Sequence, residues 1–136
     1  MKFLQTLPGV FLVAIVGIMG MCTDVFGADF AVPEGVRFEK GVEFSNVEDQ
    51  HLELNLAVPE GPGPFPAVLC IHGGGFRAGK RESYDGVCLR LAKEGFVAAT
   101  VTYRLAPDFP FPAAVQDCKT AVRWLRAHAE KYHIDP

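Results

Sequence analysis

The sequence predicts an α/β fold in which antiparallel edge strands are followed by β-α-β-α units, and three observations carry that prediction. Leu52, Leu54, Leu56 and Val58 alternate with Glu53, Asn55 and Ala57, the period-two pattern of a strand with one buried face. Two later strand-length runs, Ala67–Ile71 and Phe96–Val101, are apolar on both faces, as strands between two helical layers are. Helical spacing separates and follows them.

The first segment stands outside that fold. Lys2 supplies a sparse basic start, Val10 to Met21 is apolar, and Val25-Phe26-Gly27 offers small or aliphatic residues for a signal peptidase. Residues 1–27 therefore read as an export signal and residues 28–136 as the folded domain, which places the protein in a periplasmic or secreted setting. The alternative is an uncleaved membrane anchor, against which the apolar stretch falls short of the ~20 residues of a spanning helix. A lipoprotein reading of Cys22 fails because Met21 is not a small residue.

An earlier strand is expected over Val36 to Phe44, ending at a Ser45-Asn46 turn, so that it forms a hairpin or meander with the Leu52–Val58 strand at a sheet edge. Pro59-Glu60-Gly61-Pro62-Gly63-Pro64 breaks regular structure, and the next strand starts at Pro66 or Ala67. Between the two apolar strands Tyr84, Val87, Cys88 and Leu91 recur at helical spacing, with Arg90, Lys93 and Glu94 on the wet side and Gly95 at the stop. A second helix follows from the stripe Val115, Cys118, Val122, Leu125 and Ala129, with Pro112 near its start. Trp124 lies off that stripe and reads as packing.

Composition excludes one class of partner. Thirteen Lys and Arg against sixteen Asp and Glu give a formal charge of −3, and the basic residues are scattered among acids, so no nucleic-acid partner is expected. Of four cysteines, Cys70, Cys88 and Cys118 lie beyond the signal, and an odd count leaves a thiol unpaired. Buried free thiols are favoured over a Cys88–Cys118 disulfide. No Cys/His pair has zinc-ligand spacing, and no metal is expected.

The chemistry-bearing run is Ala67-Val68-Leu69-Cys70-Ile71-His72-Gly73-Gly74-Gly75-Phe76, a strand breaking into a triple-glycine turn. Acyl transfer needs backbone N–H groups aimed at the oxygen that becomes negative, and glycines allow that approach without side-chain obstruction. The frame Gly74-x-x-x-x-Gly79-Lys80 after a strand also fits a phosphate-binding P-loop. That rival fails at its next residue, where Arg81 replaces the hydroxyl that Mg²⁺ requires, and the strand through Tyr103 ends on no Asp.

Three motifs together resemble a known family. His72-Gly73-Gly74-Gly75-Phe76, Tyr103-Arg104-Leu105-Ala106-Pro107, and Phe111-Pro112-Ala113-Ala114 with Asp117 match, in order and separation, the hormone-sensitive-lipase-like and feruloyl-esterase-like carboxylesterases of α/β-hydrolase fold. The resemblance spans about residues 36–136. It implies a serine esterase acting on a small-molecule ester without cofactor, with Gly74 and Gly75 donating oxyanion N–H groups and His72 and Gly73 supporting the loop.

It also implies what this stretch of sequence lacks. The only serines, Ser45 and Ser83, lie in no G-x-S-x-G elbow, and the family order Ser…Asp/Glu…His excludes Asp108 and Asp117 as triad acid and His72 as base. No catalytic triad residue is identifiable. Asp117 is expected to pair with a backbone amide or a basic residue, and Arg104 to be a buried cation whose partner stays open. His128 and His133 read as solvated residues at a helix end, where the dipole favours a cation. The expectation is the N-terminal portion of a carboxylesterase, truncated before its nucleophile elbow and inactive by itself, with an apolar strand edge left open beside Ala67–Ile71. A non-enzymatic binding module on a partial hydrolase sheet is the alternative. Membrane contact is expected only through the signal segment during export, and the oligomeric state is not legible.

Overall fold

The computed structural model describes the backbone of residues 12–14 and all of residues 30–136. The proposed signal segment thus lies outside the described residues except for β1, Leu12–Ala14. The other strands are β2 (Val36–Val47), β3 (Gln50–Pro59), β4 (Ala67–Cys70) and β5 (Val97–Val101). They form one mixed sheet in the order β1-β4-β5-β3-β2. Arg81–Tyr84 is a 3₁₀ turn leading into α1 (Asp85–Lys93), and α2 (Ala113–Ala127) is followed by the short α3 (Ala129–Tyr132). This is the expected α/β arrangement of antiparallel edge strands and β-α-β-α units.

The hairpin differs from expectation at its tip. Ser45 and Asn46 remain in β2, paired with Leu52 and His51, and the chain turns instead at Glu48-Asp49, both with positive φ (53° and 57°). Such a two-residue turn matches the twist of the flanking strands, and neither residue is the Asn-Gly that would announce it. Two register irregularities, between Glu39 and Val42 and between Glu43 and Ser45, bend β2.

β3 is buried on both faces, not one: Asn55 and Ala57 are as inaccessible as their leucine neighbours. It lies between β2 and β5, pairing antiparallel with β5 from Leu54↔Val101 to Ala57↔Ala98, and α1 covers its second face. The sheet therefore separates two apolar layers. Leu54, Leu56, Leu69, Val97, Ala99 and Val101 pack toward α2 and α3, whereas Ala57, Val68, Cys70 and Ala98 pack against Cys88, Leu89 and Ala92 of α1.

Both helices sit rotated from their expected stripes. In α1 the buried row is Asp85, Cys88, Leu89 and Ala92, with Tyr84, Val87 and Leu91 at its margins, since small side chains let the helix approach Ala57 and Ala98. In α2 the row is Ala113, Asp117, Ala121 and Leu125; Cys118 and Val122 are half-buried and Val115 is exposed. One residue of helix is ~100° of rotation, and a buried ion pair at Asp117 sets that rotation here. Ala129 has left α2 altogether and opens α3.

The edge of β4 is not open either. β1 adds to it in parallel, with Leu12↔Val68, Val13↔Leu69 and Ala14↔Cys70 in register. Every backbone group left unpaired on a fully buried strand carries a desolvation cost, and β1 meets part of that demand.

Candidate active site

β4 ends at Cys70, and the chain then runs through Ile71 and His72 into a loop that turns back to reach the 3₁₀ turn at Arg81. Gly74, Gly75 and Phe76 all have positive φ (124°, 61° and 61°), which folds the chain so sharply that the Gly74 carbonyl accepts from the N–H groups of both Arg77 (3.1 Å) and Ala78 (3.2 Å). A side chain at Gly74 would strike the Ala78 carbonyl, and one at Gly79 would strike the Gly73 carbonyl and the His72 ring. Among the described residues, the Gly74 and Gly75 N–H groups donate to no protein acceptor.

The loop is held from behind by Tyr103. Its hydroxyl donates to the His72 carbonyl (2.7 Å), and its ring stacks on the imidazole with centroids 4.3 Å apart. Burial pushes the Tyr103 phenol above its ordinary pKa, which keeps the donor protonated. His72 is itself buried, with Nδ1 2.9 Å from the Gly73 carbonyl, so Nδ1 is assigned the proton. This ring braces the turn, as its place at the strand end suggested. On the other flank the Ala106 N–H donates to the Phe76 carbonyl at 2.8 Å, tying the loop to the segment after β5.

Between that segment and the loop lies a cavity of about 280 Å³, walled by Gly75, Phe76, Arg77, Phe109, Phe111 and Val115 among others. Phe76, Phe111 and Val115 are also the large exposed apolar side chains of this face. Arg104, at the cavity's inner wall, is the partner that Asp117 awaited. Nε lies 3.2 and 3.0 Å from the two carboxylate oxygens, Nη2 2.9 Å from Oδ1, and the Arg104 backbone N–H donates to Oδ2 at 2.9 Å. Nη1 reaches Glu48 at 3.2 Å on the β2–β3 turn. These hydrogen bonds, Asp117 foremost, raise the Arg104 pKa further and fix its charge. Neither Asp108 nor Asp117 meets a histidine, and Asp117 is structural.

Sequence reasoning missed a second polar cluster. Arg81, which spoils the P-loop frame, donates from Nε to Asn55 Oδ1 (3.0 Å) and from Nη1 to Thr102 Oγ1 (2.8 Å), and pairs through Nη2 with Glu53 (2.8 Å). Asn55 donates on to Asp85 at 2.8 Å, and Thr100 donates to the Arg81 carbonyl at 2.9 Å. The cluster pins the far end of the glycine loop across β3 and β5. Its signal was present only as polar residues in otherwise apolar strands, and Asn55 read as a wet-face residue.

The remaining candidates are dispersed. Ser45 sits in β2 and Ser83 in the 3₁₀ turn; neither lines the cavity, and among the described residues no serine hydrogen-bonds a histidine. His128 is less solvated than expected, stacking on Trp124 with centroids 3.9 Å apart and with Nδ1 2.8 Å from the Trp124 carbonyl, while His133 is exposed. Among the described residues no group of three or more His, Cys, Asp or Glu side chains could hold a metal ion, and no helix is long and apolar enough to cross a membrane.

Comparison with known proteins decides the family. The BD-FAE family profile matches residues 54–136, which run from β3 through the glycine loop, the Tyr103–Pro107 segment and both helices. The chain belongs to the BD-FAE family. Esterase LipI of Mycobacterium tuberculosis is 41% identical over 71 residues, and ethyl acetate hydrolase of Pseudomonas putida 44% over 70. These stretches take in 52% and 51% of this chain but 22% of each relative, so the chain spans about a fifth of the length of the curated proteins it matches. Among solved structures, a bacterial heroin esterase superposes with TM-score 0.66 at 41% identity over 80% of this chain and 35% of that one. Esterase B from Lactobacillus rhamnosis gives TM-score 0.67 at 32% identity, covering 79% of this chain and 35% of that one. The BD-FAE chain thus matches the N-terminal part of α/β-hydrolase esterase structures and belongs to a family of carboxylic ester hydrolases.

Proposed function

We propose that this chain supplies the oxyanion-binding half of an exported serine carboxylesterase that acts on small-molecule esters. The observation that carries the reading is the pair of uncommitted N–H groups at Gly74 and Gly75, with Gly75 in the wall of the cavity and the loop braced by Tyr103 and Ala106. A tetrahedral oxyanion takes two or three such donors, and a prepositioned loop costs no reorganisation as the charge develops. The third donor in this reading is the amide after the nucleophilic serine, which these 136 residues do not contain in any elbow.

The 136-residue chain by itself is accordingly silent toward p-nitrophenyl acetate and butyrate. Turnover above the blank that survives purification and disappears with Ser83→Ala would overturn this reading. In a longer chain that continues into a G-x-S-x-G elbow, hydrolysis appears and is lost with the elbow serine.

One observation favours a second reading, the non-enzymatic module. β1 covers the β4 edge that such a module needs to have covered. A monodisperse 136-residue chain with a cooperative thermal transition, and no active longer form, is the outcome that selects it. The phosphate-binding reading has no such support, since the Arg81 guanidinium is committed to Asn55, Thr102 and Glu53.

A further inference from the structure

The cavity beside the glycine loop carries a charge that ester chemistry by itself leaves unused. Its volume of about 280 Å³ stands at the small end of ligand-binding cavities, roughly 300–1,000 Å³, and suits a body of one ring. Three phenylalanines wall it. Phe76 and Phe111 are 60% and 87% exposed, and the Phe109 ring centroid lies 5.4 Å from the Arg104 guanidinium carbon. The lining also includes two arginines and, among the described residues, no acidic side chain. Arg104 is committed to Asp117 and Glu48. Arg77 is not: its side chain is exposed and meets no carboxylate among the described residues, while its backbone N–H bonds the Gly74 carbonyl. Gly75, whose N–H donates to no protein acceptor, lines the same cavity two residues earlier.

We infer that the substrates of this site are esters with an ionised carboxylate on a single-ring apolar body, and that Arg77 is the residue that selects them. The inference rests on the esterase reading, because it places the ester carbonyl at the Gly74 and Gly75 N–H groups. The phenylalanine rings then take the body of the ligand, and the Arg77 guanidinium takes the carboxylate. A guanidinium presents its N–H groups as a planar fork that matches both carboxylate oxygens. One uncommitted guanidinium also matches one negative charge, which is why the ligand is a monoanion.

Selection here is a gain for the anion and not a penalty on the neutral ester, since an exposed guanidinium with no ligand stays hydrated. Because Arg77 is exposed, the preference is modest, about threefold to fivefold in affinity. It weakens as salt screens the pair.

The test titrates the full 136-residue chain, which binds without turnover, with monomethyl terephthalate and with its uncharged amide, methyl terephthalamate, followed by backbone-amide NMR at low salt. The half-ester is expected to bind about threefold to fivefold more tightly than the amide and to shift the Gly74 and Gly75 resonances. Arg77→Gln equalises the two ligands and leaves the Tm unchanged, whereas Arg77→Lys, which keeps the charge but loses the fork, retains part of the preference. Equal affinities in the wild type, a preference that survives Arg77→Gln, or binding of neither ligand overturns the inference. Failure of the esterase reading looks different: the preference persists and depends on Arg77, but the Gly74 and Gly75 amides do not move, which leaves Arg77 as a carboxylate site with no ester carbonyl at the loop.

Discussion

Replacing Asp117 by alanine is the sharpest perturbation of the fold behind the site. Arg104 and Asp117 are both buried, with 9% and 3% of their surfaces accessible, and four hydrogen bonds run between them. Removing the carboxylate leaves a guanidinium whose remaining hydrogen bond, among the described residues, is that from Nη1 to Glu48, with the Phe109 ring beside it, and strands the Arg104 backbone N–H as well. Breaking one partner of a buried pair costs about 3–5 kcal/mol, because the surviving charge keeps its desolvation penalty. An exposed pair would lose at most about 1 kcal/mol. Urea unfolding followed through Trp124, the chain's single tryptophan and a residue of α2, reads the difference. The double replacement Arg104→Met with Asp117→Leu is expected to recover much of the loss, since two apolar groups leave nothing unpaired. A single-variant loss of about 1 kcal/mol or less, or a double variant no better than the single, refutes the claim that burial sets the size of this interaction.

Within the loop, Gly75→Ala costs about 1–2 kcal/mol, since its Cβ meets nothing and only positive φ is penalised, whereas Gly74→Ala must also displace the Ala78 carbonyl and costs more. Thermal melts of the two variants check the order, and in a nucleophile-bearing longer chain Gly74→Ala lowers kcat by about 10²–10³ with little change in KM. Burial pushes the Cys118 thiol from 9.0 up to about 11, so the folded state holds its proton longer than the unfolded chain. That contribution to stability is fully present below pH 9.0 and is lost as pH rises toward about 11; the urea midpoint falls over this window in the wild type and falls less in Cys118→Ala. Deleting residues 1–27 removes β1, so the amides of Val68–Cys70 exchange faster and the chain self-associates in analytical ultracentrifugation; unchanged exchange would show that β1 does not cap β4.

Where the physics is local, the sequence was readable. The two apolar strands, the breaker at Pro59–Pro64 and the glycine turn each follow from propensities acting within a few residues, and they lie where the pattern put them. What escaped depends on partners distant in sequence. Asn55 reads as the wet side of a strand until Arg81 and Asp85 arrive from the next unit to satisfy it. Asp117 sits on the polar side of the α2 pattern until Arg104 draws it inward and turns Val115 out toward the cavity. A hydrophobic stripe counts apolar residues and cannot see that a carboxylate with three donors is as buriable as a leucine.

The same long-range pairs explain why the loop is rigid enough to act as a binding element. A run of three glycines would be mobile if only local forces held it. Tyr103 fixes its first turn through His72, Ala106 fixes Phe76, and Arg81 fixes its exit, each anchor coming from β5, the segment after it, or the strand beside it. The Arg104–Asp117 pair in turn holds the Tyr103–Ala106 segment against α2. Loss of that pair is therefore felt at the glycines without any contact to them. In a catalytically competent longer chain, Asp117→Asn lowers kcat more than it raises KM, because the misplaced donors matter most when the oxyanion is fully charged. Equal changes in the two constants, or a fall in KM alone, would show instead that the pair shapes only the cavity.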